Sequence, residues 1–421
     1  MASEPRIPIA RPWLGVEEEQ AAASVIRSGW LISGAHTQAF ELSFAQYCKA
    51  RHAVALNTCT HGLHLALRAV GVGPGDVVLT VSHSFIATAN AVRLAGAEPV
   101  FVDVDPDTAN LSPAALRRIL ATQFDKDGDG ALVYRDVKSL ALGESPLANI
   151  SGRIGRLAAI LLVHQVGLPA EIDSILDAAD GAGVPVVEDA ACALGSMYRS
   201  AATQDWLPIG ANRRTVACFS FHPRKVITTG EGGMVTTDNS AIAKRINICR
   251  QHGMDQSPHE RHVTRDLARN LVREEYLATS NNYRMTDMQA AMGEAQMTRL
   301  DAIVERRRTI ATIYKEALAG SNNLRLPFEP SYARSNFQSF IIGFRDSAAA
   351  RRTAAALDEK GIDVRPGIMN AHEARPYQAI WKTGDLPVSE MLSATTLTIP
   401  LFPTMTETEI GRVVAALQKI G

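Results

Sequence analysis

The chain has 421 residues, and 43 Lys+Arg against 44 Asp+Glu leave a formal charge of −1, which excludes a protein built mainly to coat nucleic acid or an acidic membrane surface. With 46% hydrophobic and 21% charged residues the composition is that of a soluble globule, and no stretch approaches the ~20 apolar residues of a spanning helix. At ~150 residues per domain the length allows two or three units, or one large domain with a smaller partner.

Cys48, Cys59, Cys192, Cys218 and Cys249 are widely spaced, with no CxxC pair, and Met1–Trp13 holds no apolar run of signal-peptide length. Both features predict reduced thiols in a cytoplasmic protein. From His52 to Asp238, short β-branched runs alternate with helical patterns. HAVALN, VVLTV, PVFVDVD, AAILLVH, VPVVED, ACFSF and GMVTTD read as strands, and Leu63–Ala69, Phe85–Leu94 and Ile172–Ala182 as helices between them. Ser112 and Pro113 open another helix as N-cap and first helical residue. Continuous apolar runs are strands buried on both faces, so this region predicts an α/β domain with a mainly parallel, seven-stranded sheet.

A second region begins at the capping box Thr286-x-x-Gln289, from which a helical pattern runs to about Leu318, long enough to bridge two domains. A strand at Phe340–Phe344, an Ala-rich helix at Ala348–Lys360 stopped by Gly361, a strand near Leu397–Leu401 and a last helix capped by Thr406-x-x-Glu409 follow. The expected division is 1–285 for the N-terminal segment and large domain, with an insertion at about 124–155, and 286–421 for the bridging helix and a small α+β domain.

Three segments at strand ends carry the chemistry, where open α/β sheets bind ligands. Asn57-Thr-Cys-Thr-His-Gly62 follows a strand and opens a helix, so its free N–H groups and the Thr60 hydroxyl suit a phosphate; a plain helix cap is the other reading. In Val186-Val-Glu-Asp-Ala190, Asp189 ends a buried strand and needs a cationic partner, which a protonated heteroaromatic nitrogen or an arginine would supply. In Phe219-Ser-Phe-His-Pro-Arg-Lys-Val-Ile-Thr-Thr-Gly-Glu-Gly-Gly233, Lys225 stands near Ser220 and before a glycine-rich turn, as a nucleophile candidate or a solvated surface lysine. Jointly, a phosphate seat, a carboxylate for a ring nitrogen and an imine-forming lysine describe a pyridoxal phosphate (PLP) site, with Phe85 placed to stack on the ring or to serve as a core aromatic.

At these residues the chain resembles the DegT/DnrJ/EryC1/StrS family of PLP-dependent aminotransferases, which act mostly on nucleotide-linked keto sugars. The resemblance runs from PWLGVEEEQ and SGW…SGAHTQAFE through GPGDVVLTVSHSFIATANAVRLAGAEPVFVDVDPDT and VPVVEDAACALGS to FSFHPRKVITTGEGG, NNYRMTDMQAA and IPLFPTMTETEI. It implies the aspartate-aminotransferase fold (PLP fold type I) and a homodimer with shared active sites. It further implies Lys225 as the Schiff-base lysine, Asp189 as the pyridinium partner and Phe85 as the stacking aromatic. Thr60, the backbone at His61, and Ser220 would hold the phosphate, and Asn282 and Arg284 would reach the neighbouring subunit's site. Two departures stand out. Cys192 replaces the Gln or His beside the cofactor's ring hydroxyl, although a thiol is a poor donor, and Cys59 replaces a phosphate-turn glycine. The presence of Lys225 speaks against the family's dehydratase branch, where histidine stands.

Other motifs are less complete. Asp125, Asp127, Asp129, Gly130 and Asp136 fit the first, third, fifth, sixth and twelfth positions of an EF-hand calcium loop, but Asp136 replaces the bidentate Glu and Val133 fills position nine; a solvated acidic loop is the other reading. Between Lys244 and Arg273, seven basic residues (Lys244, Arg245, Arg250, Arg261, Arg265, Arg269, Arg273) outnumber Asp255, Glu260 and Asp266, which suits a nucleotide diphosphate or a solvated helix face. His252, His259 and His262 lack metal-site spacing and read as loop residues. His164, His222, Arg365 and His372 are further pocket candidates. The expected activity is amino transfer, from glutamate by resemblance, to a keto sugar such as an NDP-4-keto-6-deoxyhexose. A PLP enzyme for a keto cyclitol or other ketone, and a non-enzymatic calcium-responsive or regulatory protein on the same fold, are the alternatives.

Overall fold

The computed structural model describes residues 5–255 and 275–419. All seven expected runs are strands. In chain order they are β1 (His52–Leu56), β2 (Asp76–Val81) and β3 (Glu98–Val102); then, after a short hairpin of β4 (Phe124–Lys126) and β5 (Leu132–Tyr134), β6 (Arg156–Val163) and β7 (Val186–Asp189). Two short strands, β8 (Met197–Arg199) and β9 (Trp206–Pro208), precede β10 (Thr215–Ser220) and β11 (Gly233–Thr237). The order across the main sheet is β1-β11-β10-β7-β6-β2-β3, parallel from β10 through β3 and antiparallel on both sides of β11. Strand β2 is buried at every residue and β6 at all but its first, as expected for strands covered by helices on both faces.

The sheet has nine strands in all, because the 124–155 segment adds β4 and β5 beside β6. Its turn is a hairpin turn. Asp127 donates its N–H to the Ala131 carbonyl at 2.9 Å and its carboxylate accepts N–H bonds from Asp129 and Ala131, while Gly130 takes φ +81°.

The helix of Ile172–Ala182 forms over the expected residues, and Ser112 caps Pro113–Gln123 by accepting the Ala115 N–H. The pattern after Thr286 divides into two helices, Asp287–Met297 and Leu300–Leu318. Arg299 leaves helical angles between them, and its guanidinium reaches Glu18, Glu17 at 3.1 Å and the Trp13 carbonyl. The longer helix joins two hydrophobic clusters: Leu300, Ile303 and Val304 pack with the main sheet, and Ile310, Ala311, Tyr314 and Leu318 with the C-terminal residues. There β13 (Phe340–Gly343), β14 (Arg365–Pro366) and β15 (Thr396–Ile399) form a small antiparallel sheet, and β12 (Ala333–Arg334) pairs with β8. The N-terminal Ile7 packs into this C-terminal cluster.

Candidate active site

A cavity of about 870 Å³ opens at the carboxyl ends of the parallel strands. It is bordered by Thr60, Phe85, Asp189, Cys192, Ser220 and Lys225, all of them predicted site residues drawn from four separate chain segments.

Sheet register explains how the phosphate candidates meet. Gly233, the first residue of β11, pairs with Leu56 of β1 on one side and Ser220 of β10 on the other. The turn after β1 and the end of β10 are thereby brought to the two flanks of one glycine. A Cβ there would come within 2.5 Å of the Thr58 and Cys59 backbone, so only glycine lets the strand pass under the turn. Thr58 caps the helix Cys59–Ala69 by accepting the His61 N–H at 3.2 Å, which commits that amide. The His61 ring is held away by Asn57 and packs on Tyr283. Cys59 lies in the first helical turn, outside the residues with positive φ, so the loss of glycine there costs no backbone strain.

Asp189 ends β7, in register with Val163 of β6 and Cys218 of β10. Its carboxylate accepts the Thr88 hydroxyl at 2.7 Å and the Ala191 N–H at 3.1 Å, and Thr88 in turn contacts Ser84 at 2.8 Å. Neither hydroxyl was singled out from the sequence, although Ser84 and Thr88 stand four residues apart, one helical turn. Phe85, beside them, is 69% exposed, so a large aromatic face is left at the cavity instead of in the core.

Lys225 sits in a loop folded back by bonds from Thr229 N–H and the Thr228 hydroxyl to the Phe221 carbonyl. Its ammonium donates to Cys192 Sγ at 3.1 Å. Burial pushes the Lys225 pKa down, but the Cys192 sulfur, with Asp189 and Cys59 behind it, outweighs burial and raises it. Asn336 fixes the Cys192 backbone by donating to the carbonyls of Cys192 and Leu194, both at 2.8 Å.

The remaining candidates divide. His164 borders the cavity, but its Nδ1 accepts the Ala170 N–H and its Nε2 meets Glu188, so the ring is committed to a buried contact. His222, Arg224 and Arg365 line the cavity; the Arg224 pKa is lowered by burial and by the like charge of Arg365. His372 lies outside the lining, bonded to Ser82 and Glu390. Asn282 is exposed, and neither it nor Arg284 lines this chain's cavity. Arg250 is taken by Glu41 and the Ala55 carbonyl. Arg261, Arg265, Arg269, Arg273, Glu260, Asp266, His259 and His262 lie outside the described residues. In the EF-hand-like segment Asp125 pairs with Arg135, and Asp127 and Asp129 with Arg153. Among the described residues no group of three or more His, Cys, Asp or Glu is arranged to hold a metal ion.

Residues 12–418 match the DegT/DnrJ/EryC1/StrS aminotransferase family. The chain belongs to this family. DesV from S. venezuelae, solved in complex with a ketimine intermediate, is similar at 29% identity and TM-score 0.80, over 99% of this chain and 98% of that one. TlmJ, an aminotransferase from Streptoalloteichus hindustanus, matches at 27% identity and TM-score 0.79 over 98% of both chains. Spr1654 from Streptococcus pneumoniae, in its PLP form, shares the fold at 21% identity and TM-score 0.81, over 99% and 98%. This member of the family is a transaminase with the fold of type I PLP aminotransferases. Among the described residues no helix is long and apolar enough to cross a membrane.

The residues present fit PLP. A capped helix N-terminus and a serine flank a glycine floor, a carboxylate is aimed by two donors, and a lysine amine shares the cavity with an unburied aromatic face.

Proposed function

We propose that this aminotransferase uses PLP to move an amino group from glutamate to a keto sugar carried on a nucleotide. The observation that carries the cofactor assignment is the convergence of Lys225 and Asp189 on one cavity with the helix N-terminus at Cys59. When bound, PLP supplies an electron sink for the bond broken at the donor carbon. The Cys59–Thr60 turn and Ser220 would hold its phosphate, Phe85 would cover one ring face, and Asp189, aimed by Thr88 and Ala191, would hold the proton on the ring nitrogen. Lys225, the basic group of the site, takes the proton from the donor's α-carbon and delivers one to the carbon that receives the nitrogen.

Arg224 and Arg365 support an anionic substrate. They lie close enough for one to depress the other's pKa, and no carboxylate pairs with either among the described residues. A diphosphate or a donor carboxylate would relieve that repulsion. The volume lies near the top of the ~300–1,000 Å³ range of ligand pockets, room for cofactor and substrate together.

A homodimer is part of the same proposal. Leu31, Ile32 and Met288 are exposed and adjacent, since the Asp287 N–H bonds the Leu31 carbonyl at 3.1 Å. A second copy would cover this apolar surface and bring its Asn282 and Arg284 to this site.

The decisive experiment offers nucleotide-linked keto sugars and keto cyclitols with glutamate and reads products by mass. Aminated nucleotide sugar and 2-oxoglutarate in equal amounts are expected; amination of cyclitols alone would overturn the substrate class. Lys225→Ala should abolish turnover and leave no borohydride-trapped cofactor on that peptide, and retained turnover would refute the lysine assignment.

A further inference from the structure

The substitution at Cys192 sets a second nucleophile against the first. Lys225 Nζ lies 3.1 Å from Cys192 Sγ, and both side chains line the cavity, where a small solute reaches them. Both backbones are held: the Asn336 amide binds the Cys192 carbonyl, and the Lys225 N–H binds the His222 carbonyl at 2.8 Å. Cys48, Cys59 and Cys218 are buried, and burial pushes their thiols up, which keeps them protonated and slow toward oxidants. Cys249 is outside the cavity lining.

We propose that Cys192 and Lys225 form an oxidative modification site, at which hydrogen peroxide joins sulfur to nitrogen in a covalent crosslink that a thiol reverses. The crosslink needs only the contact; its consequence, loss of the amine that binds the cofactor, rests on the assignment of Lys225 above.

The chemistry balances in two steps. The Cys192 sulfur attacks one peroxide oxygen, the O–O bond breaks, and the departing hydroxide leaves as water with the thiol proton. Sulfur is oxidised by two electrons to a sulfenic acid. The lone pair of the neutral Lys225 amine then attacks that sulfur, the S–O bond breaks, and hydroxide leaves as water with a proton from nitrogen. The net change in the chain is the loss of two hydrogens. In reversal a thiol attacks the sulfur, the S–N bond breaks and the amine takes a proton; a second thiol frees Cys192 and leaves as a disulfide with the first.

The test treats the full-length protein with hydrogen peroxide, stripped of cofactor and saturated with PLP, and follows it by intact mass and peptide mapping. In the stripped protein we expect the loss of two hydrogens, a peptide joining Cys192 to Lys225, and reversal by dithiothreitol. Saturation with PLP, which occupies Lys225, diverts the sulfur to oxygen adducts. Cys192→Ser should give no joined peptide, whatever its activity. Oxygen adducts on Cys192 without a joined peptide in the stripped protein, or crosslinking that survives Cys192→Ser, would overturn the proposal. A joined peptide that PLP fails to suppress would uphold the crosslink and sink the cofactor role of Lys225 instead.

Discussion

The ammonium of Lys225 is stabilised by a neighbour that its family resemblance does not supply. Burial alone would lower its pKa; the Cys192 sulfur, together with Asp189 and Cys59, outweighs it. The proposed attachment of the cofactor to Lys225 needs the neutral amine, so capture of PLP by the stripped protein should speed up as pH rises. Cys192→Ala removes the largest raising influence, so the rate profile of that variant should move to lower pH, as followed by absorbance of the bound cofactor. An unmoved profile would show that the sulfur does not control the amine. The proposed site residues were legible in the sequence because Lys225, Asp189, Ser220 and Thr60 each stand at or just beyond a strand end. Thr88 and Ser84 were not, because Thr88 acts through a bond to a carboxylate 101 positions away, which no local pattern encodes, and Ser84 acts only through Thr88. His372 looked available by residue type, yet folding commits its ring to Ser82 and Glu390.

At the level of elements, a close backbone approach constrains strand β11 where it passes under the turn proposed to hold the phosphate. Gly233→Ala places a methyl group within 2.5 Å of the Thr58 carbonyl carbon and the Cys59 nitrogen, and neither backbone atom can swing aside as a side chain would. The turn must lift, so PLP affinity should fall by at least tenfold, about 1.4 kcal/mol, with far-ultraviolet circular dichroism close to that of the parent. Unchanged affinity by fluorescence titration would mean that the turn does not hold the cofactor. The seven principal strands were readable because burial on both faces demands unbroken apolar runs, as in the wholly buried β2. Strands β4 and β5 have three residues each and only one buried position between them, Phe124, so they left no such run. The break at Arg299 was hidden for another reason: its neighbours suit a helix, and the contact that ends it comes from Glu18, far away in the chain.

Across the whole molecule, the segment after β14 is fastened back onto the end of β2 by paired polar side chains. His83 Nδ1 meets Asn370 Oδ1 at 2.9 Å, Ser82 meets His372 Nδ1 at 2.6 Å, and the Ala371 N–H binds the Ser82 carbonyl at 2.8 Å. This latch borders the cavity through Ser84 and Phe85 on one side and Met369 on the other. His83 is 1% exposed, and burial lowers its pKa to about 4, against smaller upward pulls from Asn370 and Asp103 and a further downward push from His372. The folded value therefore lies below the unfolded one. Between the two the unfolded chain binds the extra proton, so the folded state loses stability as pH falls from about 6.5 toward 4. From pH 7 to pH 5 this single group should remove about 2 kcal/mol. Urea unfolding at the two pH values should show His83→Gln losing less stability over that interval than the parent, whatever its stability at pH 7. An equal loss in both proteins would place the acid sensitivity elsewhere, with His64, whose pKa burial also lowers to about 4, as the next residue to replace.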